Sequence, residues 1–298
     1  MKKALPYLSL CFLLFFSCKK QHTPAPEKKY KITYDLSGFS QQVIGFATKK
    51  TINNVHLNST TGLAASANFL NYRVYDFNTG ALIHQINQDS SMANFGNISD
   101  YLPAGKYVVA FVASKNAIPV NSLPLNSGAG ITLSGLTSWP DVFYYKDTIT
   151  VNAGDINASI NLNRIVGQLT IKLLDVFPAE ANKLTITVSG EYKTFSIATS
   201  SVTGDVTTLT YDDLIPSELK TNAGYKRSNF MMNNAAPFTV TLTCYDAANK
   251  ILAQTQIPDV SIQWNTQTIL TGNLFASGAG FNVGLNLPFD PNEITVQF

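Results

Sequence analysis

Residues 70–114 constrain the fold more than any other stretch, because they contain strand patterns joined by tight turns. Leu70, Tyr72 and Val74 alternate with more polar residues, so an extended segment here has one apolar face. A turn follows at 77–80, in which Gly80 can take a positive φ, and the alternation resumes at Leu82. The pattern predicts a β-hairpin.

The same stretch continues into a strand of a different kind. Residues 102–107 read LPAGKY, which is typical of a tight turn, and residues 108–112 read VVAFV. A segment that is apolar at every position fits a central strand with both faces buried. The hairpin and the central strand together predict a β-sandwich.

Composition narrows the class of protein. The chain has 298 residues, enough for one large or two modest cores, and we expect two. Charged residues make up 13%, against about 25% in typical soluble proteins, while Thr, Ser and Asn are frequent. This suits an extracellular, β-rich protein. The lysines and arginines form no basic cluster, which argues against nucleic acid as a partner.

The N-terminus has the pattern of a targeting segment. Lys2 and Lys3 precede an apolar run at 4–16, which is too short for a spanning helix of about 20 residues. The sequence LFFSC at 14–18 resembles a bacterial lipobox. It predicts a lipoprotein signal peptide at 1–17 and a mature chain that begins at Cys18 and carries acyl chains such as palmitate.

The alternative to lipidation is an ordinary secretory signal that is cut elsewhere. Cys11 is a poorer lipidation site, since Leu10 stands where a small residue is needed. With Cys11 removed and Cys18 lipidated, Cys244 is the one cysteine left, so no intramolecular disulfide is expected. Cys244 continues an apolar strand face, and we interpret it as a core thiol rather than a nucleophile.

The mature chain divides into a tether and two similar halves. Residues 18–29 are polar and contain proline, which is typical of a linker, here lipidated at Cys18. A new apolar alternation opens at Arg164, so we predict β-sandwich domains at 30–163 and 164–298. The Tyr245-Asp246 turn repeats Tyr75-Asp76, which favours two related domains.

Several further strands are expected. In the second half, strands at 183–188 and 192–197 are predicted to be joined by a hairpin turn at Ser189-Gly190-Glu191. Short strands are also predicted at 43–48, 54–57 and 206–211. A last strand is expected at 292–298, where an edge would have to pair with something.

No catalytic motif, cofactor or metal site is expected, and the chain is not predicted to be an enzyme. The three histidines, His22, His56 and His84, fit surface or half-buried positions better than metal ligands. Asp212 and Asp213 could be the paired acids of a glycosidase, but a solvated turn is the preferred interpretation.

Two other residue pairs allow two interpretations each. Asp76 and Asp246 could bind calcium, although an aspartate at a hairpin commonly accepts hydrogen bonds from its own backbone. Trp139 and Trp264 could form a sugar-stacking platform, but core packing is preferred for both.

Six motifs follow one another along the chain: the lipobox at Cys18, the strand-turn-strand at 72–82, the turn at 102–107, the strand around 143–145, the LNR at 162–164 and the NTQTILTGNLF at 265–275. In this order they resemble the fimbrillin superfamily of Bacteroidetes, which includes pilus subunits and their lipid-linked anchors.

The resemblance implies an all-β fold of two tandem transthyretin-like β-sandwiches after the lipoprotein signal peptide. It also implies a lipid-anchored location at the outer membrane and a structural role in fimbriae. Other fimbrial subunits would be the partners, joined by β-strand addition.

In that family, shaft subunits lose their first strand to an Arg-directed protease, whereas anchor subunits keep it. This chain has no arginine between Cys18 and Arg73, so such a cut could not release the strand near 30–35 cleanly. Cleavage at Lys49 or Lys50 remains open. We therefore expect an anchor or assembly-limiting subunit, with a polymerising shaft pilin as the alternative.

A further alternative is a surface lipoprotein that binds glycan. It would require exposed aromatic rings, and Trp139 with Tyr144 and Tyr145 is the place where they are expected.

Overall fold

The computed structural model describes residues 27–36, 62–275 and 280–288. Strands dominate these residues, and the helical segments are single turns, so the predicted all-β class is confirmed. The elements are β1 (Lys29–Asp35), α1 (Leu63–Ser66), β2 (Phe69–Asp76), β3 (Leu82–Asp89), β4 (Asn97–Pro103), β5 (Gly105–Ser114), a 3-10 turn (Leu125–Ser127), β6 (Gly130–Thr132), β7 (Val142–Val151), β8 (Ile156–Ser159), β9 (Asn163–Arg164), β10 (Gly167–Leu173), β11 (Ala181–Ser196), β12 (Ser201–Leu214), a second 3-10 turn (Ser217–Lys220), β13 (Lys226–Met231), β14 (Phe238–Asp246), β15 (Ile251–Val260), β16 (Thr266–Gly272) and β17 (Phe281–Pro288).

The first sandwich packs a sheet in the order β4-β1-β8 against a sheet in the order β3-β2-β5-β7-β9. The predicted hairpin is the antiparallel pair β2 and β3, and Gly80 in its turn has a φ of +70°. Apolar side chains from both sheets fill the space between them. They include Ile32, Tyr34, Leu70, Tyr72, Val74, Ile98, Leu102, Val109, Phe111 and Phe143.

Strand β5 is the central strand that its sequence predicts. It lies third of five in its sheet, and residues 109–113 are fully buried. Val109 and Phe111 pack in the first core, while Ala110 and Val112 pack in the second. The run of apolar residues therefore reflects a strand with a core on each face.

The second sandwich is formed by a sheet in the order β12-β11-β14-β15 and a sheet in the order β13-β10-β16-β17. Strand β6 also pairs with β11, so residues 130–132 join a sheet of the second sandwich. The two tandem sandwiches are confirmed. The limits at residues 163 and 164 stay a prediction.

The predicted hairpin at Ser189-Gly190-Glu191 is wrong. Strand β11 runs unbroken through these residues, and both its halves pair with β12. The register shifts between Val188 and Glu191, and Gly190 has a φ of +80°, as at a β-bulge. The glycine therefore bends one strand instead of reversing the chain. The strand predicted at 206–211 is confirmed as part of β12.

The sandwiches are joined by polar contacts as well as by apolar packing. The Tyr144 hydroxyl donates to the Ile197 carbonyl at 3.0 Å, and Lys146 Nζ donates to the Ala198 carbonyl at 2.6 Å. Both acceptors lie in the turn between β11 and β12. Strand β7 of the first sandwich therefore holds a turn of the second.

Several predictions lie outside the described residues. They are the signal peptide at 1–17, the lipidation of Cys18, residues 18–26 of the tether, and the strands at 43–48, 54–57 and 292–298. Within the described ranges, no helix has the length and apolarity needed to cross a membrane.

Candidate functional site

The candidate site is the position of β1 in the first sandwich. Strand β1 pairs antiparallel with β4 over its whole length, Lys29 to Asp35, and parallel with β8 from Ile32 to Asp35. It is thus the middle strand of a three-stranded sheet. Beyond the ladder, Leu36 N donates to the Gly96 carbonyl at 2.9 Å, and Ile160 N donates to the Asp35 carbonyl at 2.9 Å.

The inward face of β1 is buried. Ile32, Tyr34 and Leu36 are each at most 1% exposed. The Tyr34 ring lies 5.0 Å from the ring of Phe111 and 5.7 Å from that of Tyr72, measured between centroids. Alternation along the strand places these three side chains on one face. Removing β1 would open a groove through the first core.

A contact between a histidine and an aspartate spans the two sheets beside β1. His84 on β3 has its Nδ1 2.5 Å from Oδ1 of Asp100 on β4, and the Asp100 side chain is 1% exposed. Oδ1 of Asp100 also accepts from Tyr101 N at 2.7 Å. The His84 side chain is 53% exposed, which fits the surface or half-buried position expected for it, but the sequence did not indicate Asp100 as its partner. His22 and His56 lie outside the described residues.

Arg73 is a buried residue of the first sandwich. It is 3% exposed and lies on β2, with β3 on one side and β5 on the other. Its guanidinium donates to the Tyr72 carbonyl at 3.0 Å, to Asn87 Oδ1 at 2.7 Å and to the Val120 carbonyl at 3.3 Å. Arg73 is the first arginine of the sequence, and in the folded chain it is not accessible.

The aromatic residues proposed as a sugar platform do not form one. Trp139 is 2% exposed and Tyr144 is 5% exposed. Tyr145 is partly buried and packs against Phe111 at 6.2 Å. Trp264 is also partly buried, and its Nε1 donates to the Met232 carbonyl at 2.8 Å. The core-packing interpretation of Trp139 is confirmed, and the glycan alternative loses the feature that supported it.

The four aspartates considered above as calcium ligands or paired acids all accept hydrogen bonds from other groups of the chain. Asp76 Oδ1 accepts from Thr79 N at 2.7 Å, and Asp246 Oδ1 accepts from Lys250 N at 2.8 Å, so each binds its own turn. Asp212 accepts from Thr185 Oγ1 at 2.6 Å, whereas Asp213 accepts from Tyr225 Oη at 2.6 Å. As neighbours on β12 they project to opposite faces and do not act as a pair.

Two more reactive side chains, Cys244 and Glu191, are buried. Burial raises the pKa of the Cys244 thiol to about 11, which keeps it protonated and confirms a core thiol. Burial also raises the pKa of Glu191 to about 7, although its carboxylate accepts from three backbone amides. The sequence did not indicate this role for Glu191. Across the described ranges, no group of three or more metal-binding side chains occurs.

Comparison with protein families gives one match. Residues 129–297 match DUF6562, described as a family of unknown function. The chain belongs to this family. The matched region contains β6 and the whole of the described second sandwich, whereas β1 lies outside it. A search of curated proteins finds no match.

Solved structures extend the comparison to both sandwiches of this DUF6562 member. The fimbrial anchor protein Mfa2 from Porphyromonas gingivalis matches with a TM-score of 0.54 at 11% identity, over 88% of this chain and 100% of that one. A candidate polysaccharide-binding protein (DUF1812) from Bacteroides thetaiotaomicron matches with a TM-score of 0.54 at 12% identity, over 89% and 99%.

A candidate adhesin from Bacteroides ovatus matches with a TM-score of 0.50 at 13% identity, over 90% of this chain and 95% of that one. At these identities the likeness concerns the fold. It agrees with the fold that the sequence resemblance implies.

Proposed function

We propose that this protein is a structural, non-enzymatic subunit of surface fimbriae, and that it is an anchor or assembly-limiting lipoprotein. The observation that carries the proposal is the state of β1, which is paired on both sides and buried on its inner face. A subunit that keeps this strand has its own groove filled. Such a subunit can lie at one end of a fibre, because it does not need to accept a strand from a neighbouring subunit.

The position of the arginines supports the same role. An Arg-directed protease could release β1 only by cutting after Arg73, which is itself buried in β2. A cut there would divide the strand next to the central strand β5. Fold-level likeness to a fimbrial anchor protein agrees with this, since that protein matches over its whole length.

The proposed location follows from the predicted lipid. With acyl chains on Cys18, the mature chain would be held at the outer membrane by a tether that ends just before β1. Partner subunits would then join by strand addition, and the fibre would extend from the anchored subunit.

The anchor role can be tested by identifying the N-terminal residue of the mature protein, purified from the cells that make it. We expect mass spectrometry to find a lipid-modified peptide that begins at Cys18, with residues 29–36 still part of the chain. A Cys18→Ala variant should lose the lipid, and a Cys11→Ala variant should keep it. A mature N-terminus beyond Asp35 would instead assign the chain to the shaft.

The test of the fimbrial role is deletion of the gene followed by electron microscopy of the cell surface. Long, shed or absent fimbriae are the expected result, because the fibre would lose its attachment or its length control. An unchanged surface would contradict a fimbrial role. Complementation with the Cys18→Ala variant should restore the protein but not the attachment.

A further inference from the structure

Lysines from two distant segments meet at the end of the first sandwich where β1 begins. Lys28, Lys29 and Lys31 are exposed, and Lys29 pairs with Pro103, the last residue of β4. Strand β5 begins two residues after Pro103, so the exposed Lys106 lies at the same end of the sandwich. Four ammonium groups are thus collected on one end by the pairing of β1 with β4.

An aromatic ring is exposed beside Lys106. Phe77, in the turn between β2 and β3, is 43% exposed, and its backbone N donates to the Lys106 carbonyl at 3.1 Å. Lys106 Nζ lies 3.8 Å from the centroid of the Phe77 ring. An exposed ring with an ammonium group against its face suits a membrane boundary, where the ring enters the headgroup layer and the lysine remains among the phosphates. We call Phe77 and these four lysines the basic end.

Two of the carboxylates near the basic end face backbone amides. Asp76 Oδ1 accepts from Thr79 N at 2.7 Å, and Asp155 Oδ1 accepts from Lys31 N at 2.9 Å. Glu27, which precedes the lysines in the chain, is exposed. The four lysines outnumber these three carboxylates, so this end keeps a small positive excess.

The mature chain as a whole has no such excess. The sequence has 21 lysines and arginines and 19 acidic residues, and Lys2 and Lys3 leave with the predicted signal peptide. The side chains of the mature protein therefore sum to zero charge, whereas the predicted tether adds Lys19 and Lys20 next to the basic end. An anionic surface therefore attracts this end of the molecule more than the rest.

The predicted tether also keeps the basic end near the membrane. Nine residues separate Cys18 from Lys28. A flexible chain of this length spans about 18 Å on average and at most about 35 Å. The opposite end of the sandwich, at Ser114, is farther away by the length of the ten-residue strand β5, which is about 33 Å. The basic end is therefore the end within the average reach of the tether.

We propose that the basic end docks on anionic phospholipid of the membrane that holds the lipid on Cys18. This inference rests on the proposed lipid anchor, and it gives the anchored subunit a fixed orientation. Phe77 enters the headgroup layer, and the lysines contact lipid phosphates. Each lysine near an anionic surface strengthens binding by about fivefold. The first sandwich then stands on the membrane by this end instead of swinging on its tether.

The experiment couples the mature chain through Cys18 to a maleimide lipid in vesicles, so it does not require lipidation by the cell. Cys244 is buried and does not compete for the maleimide. Phe77→Trp reports lipid contact, because brominated acyl chains quench a tryptophan that they reach. Leu214→Trp, at a position of the second sandwich that is 75% exposed, is the matched control. In brominated phosphatidylglycerol vesicles, we expect the Phe77→Trp chain to lose at least twice the fraction of fluorescence that the Leu214→Trp chain loses.

The charge dependence identifies the lipid. Quenching of the Phe77→Trp chain should fall in brominated phosphatidylcholine vesicles, which carry no net charge, and also when Lys28→Gln and Lys106→Gln are added. Equal quenching in the two lipids would overturn recognition of anionic phospholipid. Equal quenching of the Phe77→Trp and Leu214→Trp chains, or none in either, would overturn docking. The anchor role stands apart from these outcomes, since mass spectrometry of the cellular protein tests it separately.

A second measurement needs no substitution. The mature chain is coupled through Cys18 either to phosphatidylglycerol vesicles or to a soluble maleimide, treated with acetic anhydride, and analysed by mass spectrometry. We expect acetylation of Lys29 and Lys106 to be at least threefold slower on the vesicles. Lys250, an exposed residue of the second sandwich, should react at the same rate in both samples. Unchanged rates at Lys29 and Lys106 would contradict docking by the basic end.

Discussion

Arg164 holds Asp141 in a bidentate ion pair, with Nε 2.7 Å from Oδ1 and Nη2 2.9 Å from Oδ2. The same guanidinium donates through Nη1 to Asn265 Oδ1 at 2.9 Å, and its face lies 4.9 Å from the Phe143 ring. In the first sandwich, Asp141 immediately precedes β7 and Arg164 lies on β9, while Asn265 immediately precedes β16 of the second. One side chain thus ties the two sandwiches together.

Loss of this guanidinium should destabilise the whole chain. Burial raises the pKa of Asp141 more strongly than Arg164 lowers it, so the carboxylate depends on its partner. We expect Arg164→Met to lower the free energy of unfolding by about 3–5 kcal/mol, because it leaves a buried charge unpaired. Urea unfolding followed by circular dichroism measures this.

Arg227→Met is the matched control for that variant. Its ion pair with Asp213 is 23% exposed on each side, so water partly screens it. We expect a loss of about 1 kcal/mol or less from the pair itself. Equal losses for the two variants would show that the Arg164 pair has no special role.

The raised pKa of Glu191 predicts how the free energy of unfolding depends on pH. Its folded-state pKa of about 7 lies above the ordinary value of 4.5. The folded chain therefore binds this proton more tightly than the unfolded chain. The stabilisation is fully present below pH 4.5 and is lost as the pH rises through about 7. Across that window the loss amounts to about 3 kcal/mol.

The measurement compares unfolding free energies of the wild type and Glu191→Gln from pH 4 to pH 9. The difference between the two should change in favour of Glu191→Gln as the pH rises, since the amide does not titrate. Glu180→Gln removes an exposed carboxyl and should run parallel to the wild type. Parallel curves for Glu191→Gln as well would rule out this assignment.

Much of the fold could be predicted from local patterns. The alternation of β2, the turn at Gly80 and the apolar run of β5 each follow from neighbouring residues, and each was confirmed. These are short-range signals, in which the period of the side chains identifies the exposed face. The two-sandwich fold followed from the order of motifs along the chain.

The errors and omissions concern features that form between distant segments. Gly190 has the same local signal in a bulge as in a hairpin turn, and only pairing with β12 distinguishes them. Asp100 meets His84 across two sheets, and Glu191 meets the amides of Met232 and Asn233. Contacts of this kind carry no signal in residue spacing, so the sequence pattern could not predict them.

The bulge itself can be tested through its glycine. At Gly190 the φ is +80°, and an added Cβ would lie 3.3 Å from Phe238 Cβ. We expect Gly190→Ala to lower the free energy of unfolding by about 1–2 kcal/mol, since left-handed backbone disfavours a side chain. Gly154→Ala, with open space around its Cβ, should change it by about 0.5 kcal/mol or less. Similar effects at both positions would contradict a strained bulge.

The last prediction concerns proteolysis of the native chain. The sequence contains three arginines, and all three are engaged by other side chains or carbonyls: Arg73 by Asn87, Arg164 by Asp141 and Arg227 by Asp213. Each lies in a strand, where cleavage requires local unfolding. We therefore expect an Arg-specific protease to leave the folded chain intact and to cut it at these positions in urea.

Asn152→Arg supplies the positive control, because it places an arginine in the exposed turn between β7 and β8. This variant should be cut at residue 152 under native conditions, which shows that the protease is active on an accessible site. Gel electrophoresis with N-terminal sequencing identifies the products. Rapid native cleavage after Arg73 in the unsubstituted chain would mean that β1 can be released, and it would favour a shaft subunit over an anchor.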